Sequence, residues 1–229
     1  MYTREQVAAT IDHAILKPFA TDQDIIDGCR MCDKYQVASC CVRPSDVPLA
    51  AKILKDSAVK VSVVVGFPHG SNKTQVKALE AKLAFQDGAE EADMVMNVGK
   101  FLSGDLAYVQ KDIEAVVAEA KKAGALVKVI QETCYLSLEQ VAQACKICEK
   151  AGADFVKTST GFGDGPATPE VIDVMIKTVG KRLGVKASGG VRTWDTAVGY
   201  LDQGCTRLGV GSTEAVLTGG PDAANNASY

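Results

Sequence analysis

The chain alternates between two hydrophobic rhythms. From Asp105 to Lys122, apolar residues recur at Leu106, Val109, Ile113, Val116 and Ala120, the spacing of one helical face. Similar stripes run through 22–35, 45–56, 73–87, 137–150, 168–181 and 193–203. Between them lie short, nearly continuous apolar runs at 38–42, 61–66, 91–97, 126–131, 153–158, 184–188 and 206–210, with Ile11 to Ile15 ahead of the first stripe. Such runs suit parallel strands covered on both faces. Glycine marks the changeover: Gly88-Ala89, Gly152-Ala153 and Gly204-Cys205 each read as a helix C-cap followed by a buried strand. Eight strand–helix units predict an α/β chain folded as a single-domain (β/α)8 TIM barrel over residues 1–217, with a small, polar, flexible tail over 218–229. Alternation alone does not reveal closure, so a doubly wound open sheet is the competing architecture.

Composition narrows the function classes. With 47% hydrophobic and 23% charged residues and a net charge of −3, the chain is ordinary globular protein without the basic face of a nucleic-acid binder. Its longest apolar run, Val61 to Phe67, is too short to span a bilayer, and MYTREQVAAT lacks the layout of a signal peptide. A soluble cytoplasmic protein is expected, with neither nucleic-acid nor membrane partners. Its eight cysteines should then be reduced thiols. Two pairs, Cys29 with Cys32 and Cys145 with Cys148, have the C-x-x-C spacing of zinc sites. Both pairs continue apolar stripes, however, and read as core faces of helices. Two histidines, His13 and His69, are too few for a His-rich zinc site, so no metal and no cofactor are expected.

In a barrel of this kind the chemistry sits at the C-terminal ends of the strands. Asp93, Lys128, Lys157 and Lys186 all fall on strand segments. Burying an unpaired ammonium costs several kcal/mol, so three strand lysines and an aspartate point to a site; structural ion pairs are the alternative. Lys157 and Lys186 lie on successive strands. Two ammonium groups about 5 Å apart at an effective dielectric near 20 repel by roughly 3 kcal/mol, enough to bring a lysine from ~10.4 toward ~8. A neutral amine is what attack on a carbonyl requires, and Asp93 is placed to relay protons. Spacing leaves open which lysine is the nucleophile. A second constellation resembles a phosphate cradle: Ser188-Gly189-Gly190 follows the seventh strand, and Gly209 to Thr213 follows the eighth and opens a short helix.

These residues carry a resemblance. IDHAILKP (11–18), GFPHG (66–70), ADMVMNVG (92–99), FVKTSTGF (155–162), KASGGVR (186–192) and RLGVGS (207–212) closely resemble the deoxyribose-phosphate aldolase family, in order and over nearly the whole chain. The resemblance implies a (β/α)8 barrel, assembled as a homodimer or homotetramer. It also implies metal-independent, reversible cleavage of 2-deoxy-D-ribose 5-phosphate to D-glyceraldehyde 3-phosphate and acetaldehyde. By the same resemblance Lys157 forms the Schiff base, Lys186 perturbs it and Asp93 relays protons. Gly189, Gly190, Gly209 and Ser212 look like phosphate contacts, and Asp12, Cys41 and Thr160 like substrate-pocket residues; Lys128, singled out by its strand position, is expected to bind substrate beside them. The Ser-Tyr ending matches members whose last tyrosine assists proton transfer, which makes Tyr229 a candidate. Two departures stand out: Ala14 replaces a threonine common in the first motif, and Gly211 replaces one of two serines, a loss of ~1 kcal/mol in phosphate affinity. The rival readings are another Schiff-base aldolase or a transaldolase acting on larger sugar phosphates, and a non-catalytic phosphosugar-binding protein.

Overall fold

The computed structural model describes residues 2–219; Tyr229 and most of the tail lie outside the described residues. Eight parallel strands, β1 (Ile11–Ile15), β2 (Ser39–Val42), β3 (Lys60–Val65), β4 (Glu91–Val95), β5 (Leu126–Ile130), β6 (Phe155–Lys157), β7 (Gly184–Ser188) and β8 (Arg207–Val210), pair in chain order. β8 returns to pair with β1, so the sheet is a closed barrel and the open-sheet alternative is excluded.

The helices outside it are α1 (Arg4–Ala8), α2 (Asp22–Tyr35), α3 (Val47–Ile53), α4 (Thr74–Gln86), α5 (Val98–Leu102), α6 (Leu106–Ala123), α7 (Leu138–Ala151), α8 (Pro169–Val179), α9 (Trp194–Gln203) and α10 (Thr213–Thr218). Each predicted stripe became a helix. The stripe at 45–56 is trimmed, because Pro44–Asp46 forms a 3-10 turn and the helix ends before Leu54. At five residues each, α1 and α5 are too short for periodicity to announce them. Among the described residues no helix is long and apolar enough to cross a membrane.

Strand parity gives the barrel two chemistries. Outward-facing Val63, Met94, Val129, Val156 and Leu208 pack into one core with helix residues such as Ile25, Ile113 and Met175. Both C-x-x-C pairs are fully buried in this layer, as their stripes predicted. The inward faces carry Asp12, Ser39, Ser62, Glu91, Asp93, Lys128, Lys157, Lys186 and Arg207. Barrel interiors are ordinarily filled by branched aliphatics, so this one is built differently.

Two further buried polar contacts tie helices to the strand ends near the site. Lys77 on α4 donates to Asp112 Oδ2 on α6 (2.6 Å) and to the carbonyl of Val95 at the end of β4 (2.9 Å), and both side chains of the pair are fully buried. Thr74 completes the shell of Asp112 at 2.9 Å. Gly66, at φ +63°, lies so close that a Cβ there would come within 2.8 Å of Lys77 Cε. On the other side of the barrel, His13 faces outward from β1 and shares a 2.9 Å hydrogen bond with Thr213 at the start of α10. Burial pushes the His13 imidazole down to about 4.

Lys77→Ala would strand the Asp112 carboxylate in the core, and a loss of ~3–5 kcal/mol in urea-unfolding free energy is expected; pairing it with Asp112→Leu should recover most of that loss. The depressed His13 value gives a second expectation. Because the unfolded chain takes up the proton first, stability is fully present above about pH 6.5, falls as pH drops toward about 4, and is flat below. Denaturant titrations of His13→Asn should lack this arm, worth ~3 kcal/mol.

Candidate active site

The inward charges form one connected network. Asp93 sits at its centre on β4, with no exposed surface. Its Oδ2 accepts from Lys157 Nζ on β6 and from Lys186 Nζ on β7, both at 2.7 Å. Its Oδ1 accepts from Lys128 Nζ on β5 at 2.8 Å, with Ser62 Oγ at 3.4 Å. Register brings them together in two pairs: Asp93 stands opposite Lys128, and Lys157 opposite Lys186, with Lys157 one inward position further along than Lys128 because it pairs with Ile130. Asp12 on β1 forms a second centre. It accepts from Lys186 at 2.5 Å, Ser39 at 2.6 Å and Arg207 at 2.5 Å, and Lys128 lies 3.3 Å away.

The three lysines are not equivalent. Burial is the largest influence on each and opposes the charge. Lys186 is held by two carboxylates, Asp12 and Asp93, which outweigh burial and raise it above the ordinary lysine range. Lys128 touches Asp12, Asp93 and Glu91 and is raised further. Lys157 has Asp93 alone; burial, helped by the Lys186 charge, pulls it below its ordinary value. Lysine–lysine repulsion, expected from sequence to dominate, therefore comes second to desolvation, because the two ammonium groups share a carboxylate oxygen. Burial raises Asp93, but the three lysines outweigh it and hold the carboxyl well below its usual range. Lys157 is also the most accessible of the three, 4% exposed against 1% for Lys186 and none for Lys128.

Above the network the barrel interior turns apolar, then opens. Leu16, Cys41 and Val64 form a small buried cluster with Ala14 and Phe67 against it. Ala14 thus continues an apolar wall. Burial pushes the Cys41 thiol up to about 11, so it is a protonated, apolar neighbour of the lysines. The mouth is a cavity of about 910 Å3, lined on one side by Gly189, Gly190, Gly211 and Ser212 and on the other by Gly161 and Pro166. Lys17, Arg192 and His13 also line it. Gly209 lies lower, within β8, opposite Ser188 and Asp12. Gly190, at φ +78°, lets the chain pass within 3.0 Å of Pro166, measured from the Cβ it lacks. Ser188, two residues beyond Lys186 on the same strand face, has a buried hydroxyl with no hydrogen-bond partner, and so has Ser159.

Several site residues were not singled out from sequence. Glu91 and Arg207 join the network from below: Lys128 bonds Glu91 at 2.6 Å, and Arg207 bonds Glu91 at 2.9 Å. Glu132 holds the loop after β6. Its carboxylate accepts from the Thr160 backbone N–H at 3.1 Å and from the Thr160 hydroxyl, and a Cβ at Gly163 would lie 3.0 Å from its carboxyl carbon. Glu132 has φ +50°, a left-handed conformation a non-glycine residue adopts at a cost. Thr160 is therefore occupied in shaping the cavity wall, its oxygen accepting from Phe162 N–H at 3.0 Å. Lys128, expected against substrate, is enclosed among carboxylates. A parity rule would have found Glu91 and Arg207, since they lie two residues before Asp93 and Gly209 on the same strand faces.

Comparison with known proteins agrees with this architecture. Residues 6–208 match the model of the DeoC/LacD family aldolases. The chain is 51% identical over 216 residues to a deoxyribose-phosphate aldolase of Clostridium perfringens, covering 94% of this chain and 96% of that one. It is 48% identical over 219 residues to one of Thermococcus gammatolerans, covering 95% and 97%. The solved deoxyribose phosphate aldolase of Aeropyrum pernix, described as a unique tetrameric structure, superposes with a TM-score of 0.88 at 31% identity, over 94% of this chain and 91% of that one. With its buried lysine–carboxylate network at the centre of a closed barrel, the chain belongs to the DeoC/LacD family of aldolases and is a carbon–carbon lyase.

Proposed function

We propose that this aldolase cleaves 2-deoxy-D-ribose 5-phosphate reversibly to D-glyceraldehyde 3-phosphate and acetaldehyde, with Lys157 as the amine that forms the Schiff base. One observation carries the assignment: a single oxygen of Asp93 serves both Lys157 and Lys186, and only Lys186 has a second carboxylate. Four basic and three acidic side chains fill the barrel, so their charges match when Lys157 is neutral. Its lone pair attacks the aldehyde carbon of the open-chain sugar to give a carbinolamine. The hydroxyl leaves as water, taking a proton for which the Lys186 ammonium is the donor at hand, and a protonated imine remains. The C3 hydroxyl then gives its proton to Lys186, left neutral by the preceding step, the C2–C3 bond breaks, and its electron pair moves into the imine as an enamine. Glyceraldehyde 3-phosphate departs. Protonation of the enamine carbon and addition of water release acetaldehyde and restore the amine.

Asp93 enters as a carboxylate already holding three ammonium groups. Its part in proton relay is to bridge Lys157 and Lys186, so that a proton leaving one nitrogen passes along a chain of short hydrogen bonds. The glycine loops after β7 and β8, with Lys17 and Arg192 nearby, suit the phosphate end of the sugar. The unpartnered Ser188 hydroxyl, on the Lys186 face, suits a substrate hydroxyl. Assembly as a homodimer or homotetramer accords with the tetrameric relative, and α4 offers the half-exposed apolar stripe Val76, Leu79 and Leu83.

Incubation with acetaldehyde and borohydride is expected to leave an ethyl group on Lys157, located by peptide mass spectrometry, and none on Lys157→Arg. Modification of Lys186 alone, or of no lysine, would overturn the assignment. For the phosphate loops, Gly190→Val is expected to raise KM for the phosphorylated sugar roughly tenfold while changing cleavage of unphosphorylated deoxyribose little. Equal effects on both substrates would remove the loop from phosphate recognition.

A further inference from the structure

The floor of the barrel holds a charged pair that the reaction above does not use. Glu91 is 3% exposed and the Arg207 side chain 13% exposed. Glu91 precedes Asp93 by two residues on β4, and Arg207 precedes Gly209, the register partner of Asp12, by two residues on β8, so each lies one inward position below a carboxylate of the network. Arg207 Nη1 reaches Glu91 at 2.9 Å and Asp12 at 2.5 Å. Lys128 reaches Glu91 at 2.6 Å and Asp93 at 2.8 Å. The guanidinium is fixed from beneath by the Phe155 ring, 5.3 Å from its centroid. Gly184 makes room for that ring, since a Cβ there would fall 2.2 Å from Phe155 Cε1.

Stability is a poor reason for this pair. A buried ion pair is often replaced by apolar residues of similar volume without loss, and barrel floors are ordinarily aliphatic. What the pair does is join the two carboxylates of the site. Glu91 holds Lys128 against Asp93, and Arg207 holds Asp12 against Lys186, closing a ring from Asp93 through Lys128, Glu91, Arg207, Asp12 and Lys186 back to Asp93. Lys157 hangs from that ring by one bond.

We propose that Glu91 and Arg207 are positioning residues for the reaction, an opposed pair of fixed charges that orients Asp12 and Lys128 and sets, in opposite senses, the protonation of Lys157. The proposal rests on Lys157 as the reacting amine. The charged and titratable groups acting on that amine directly are Asp93 from β4, Lys186 from β7 and the Cys41 thiol from β2; behind them in the barrel interior stand Asp12 from β1, Glu91 from β4, Lys128 from β5 and Arg207 from β8, and β3 contributes Ser62 and Val64 without charge. Removing the Glu91 charge leaves an excess of positive charge beneath the site and favours the neutral amine. Removing the Arg207 charge does the reverse.

Two readouts on the full-length enzyme test this. The first is competitive labelling of Lys157 with acetic anhydride between about pH 5 and about pH 10, quantified by peptide mass spectrometry, which titrates the amine with no aldehyde present. Glu91→Gln is expected to move its midpoint to lower pH and Arg207→Gln to higher pH. Each shift should be roughly one pH unit, the effect of a unit charge some 10 Å away at an effective dielectric near 20. Arg207→Lys should keep the wild-type midpoint, and the double Glu91→Gln, Arg207→Gln variant should return toward it. The second readout is acetaldehyde–borohydride trapping, whose acid limb should move with the labelling midpoints. Unmoved midpoints in folded Glu91→Gln, or shifts of the same sign in both single variants, would overturn the proposal. If Arg207→Gln does not fold, Glu91→Gln against Arg207→Lys decides it. Opposite shifts in labelling without any trapping would leave this charge control standing and remove Lys157 as the Schiff-base amine.

Discussion

The structure turns on the Asp93 carboxylate, which accepts from three lysines inside a closed barrel. A buried ammonium without a partner would not stay charged, and three of them at one level would repel. Asp93 makes their coexistence possible, yet it has only two oxygens. One is shared by Lys157 and Lys186, and the sharing is asymmetric because Asp12 stands on the far side of Lys186. Closure of the sheet is what supplies Asp12. β1 must come round to β8 before the first strand can face the seventh across the interior.

That arrangement divides labour between the layers of the fold. The interior spends its volume on charges and hydroxyls and contributes little apolar burial. The shell between strands and helices, with Val63, Met94, Val129, Ile113 and Met175 fully buried, carries the hydrophobic stabilisation instead. Clamps outside the barrel keep the interior geometry from relaxing. Lys77 and Glu80 on α4 hold the carbonyl of Val95 and the N–H of Gly66, fastening the ends of β4 and β3 beside the site. Glu132 does the same for the loop after β6. From floor to mouth the environment passes from fixed charges, through the lysine level, to the apolar Leu16–Cys41–Val64 collar and finally to glycine loops. The lysines thus lie beneath an apolar collar, with the glycine loops above it.

Much of this was written in the chain's periodicities. Helix stripes and β-branched runs placed eight strands within a residue or two of their bounds, because long apolar patterns survive whatever the tertiary packing does. Asp93, Lys128, Lys157 and Lys186 stood out because charged residues inside apolar strands have no cheap explanation. Glu91 and Arg207 escaped notice for the opposite reason: at the first position of β4 and β8, each looks like solvent-facing punctuation after a turn. Parity with Asp93 and Gly209 is the one signal that they point inward. Glu132 was hidden too, since a left-handed backbone at a glutamate has no sequence signature. The expected Thr160 contact illustrates a related limit, because composition shows that a hydroxyl is present and not which acceptor takes it.

The proposed answer to the question that spacing left open, which lysine reacts, rests on counting carboxylates. Lys128 has three within ion-pair distance, Lys186 two and Lys157 one. Every lysine bears a comparable desolvation penalty, so the charge survives where partners outnumber it and is weakest where a partner must be shared. Exposure runs the opposite way, greatest at Lys157 and none at Lys128. Under the proposed assignment, the reacting amine is the one with the fewest carboxylates and the greatest exposure of the three. The other two ammonium groups, together with Lys157, outweigh burial and hold the Asp93 carboxyl well below its usual range. On the proposed assignment, nucleophile and proton donor are the same kind of side chain, distinguished by a single additional aspartate.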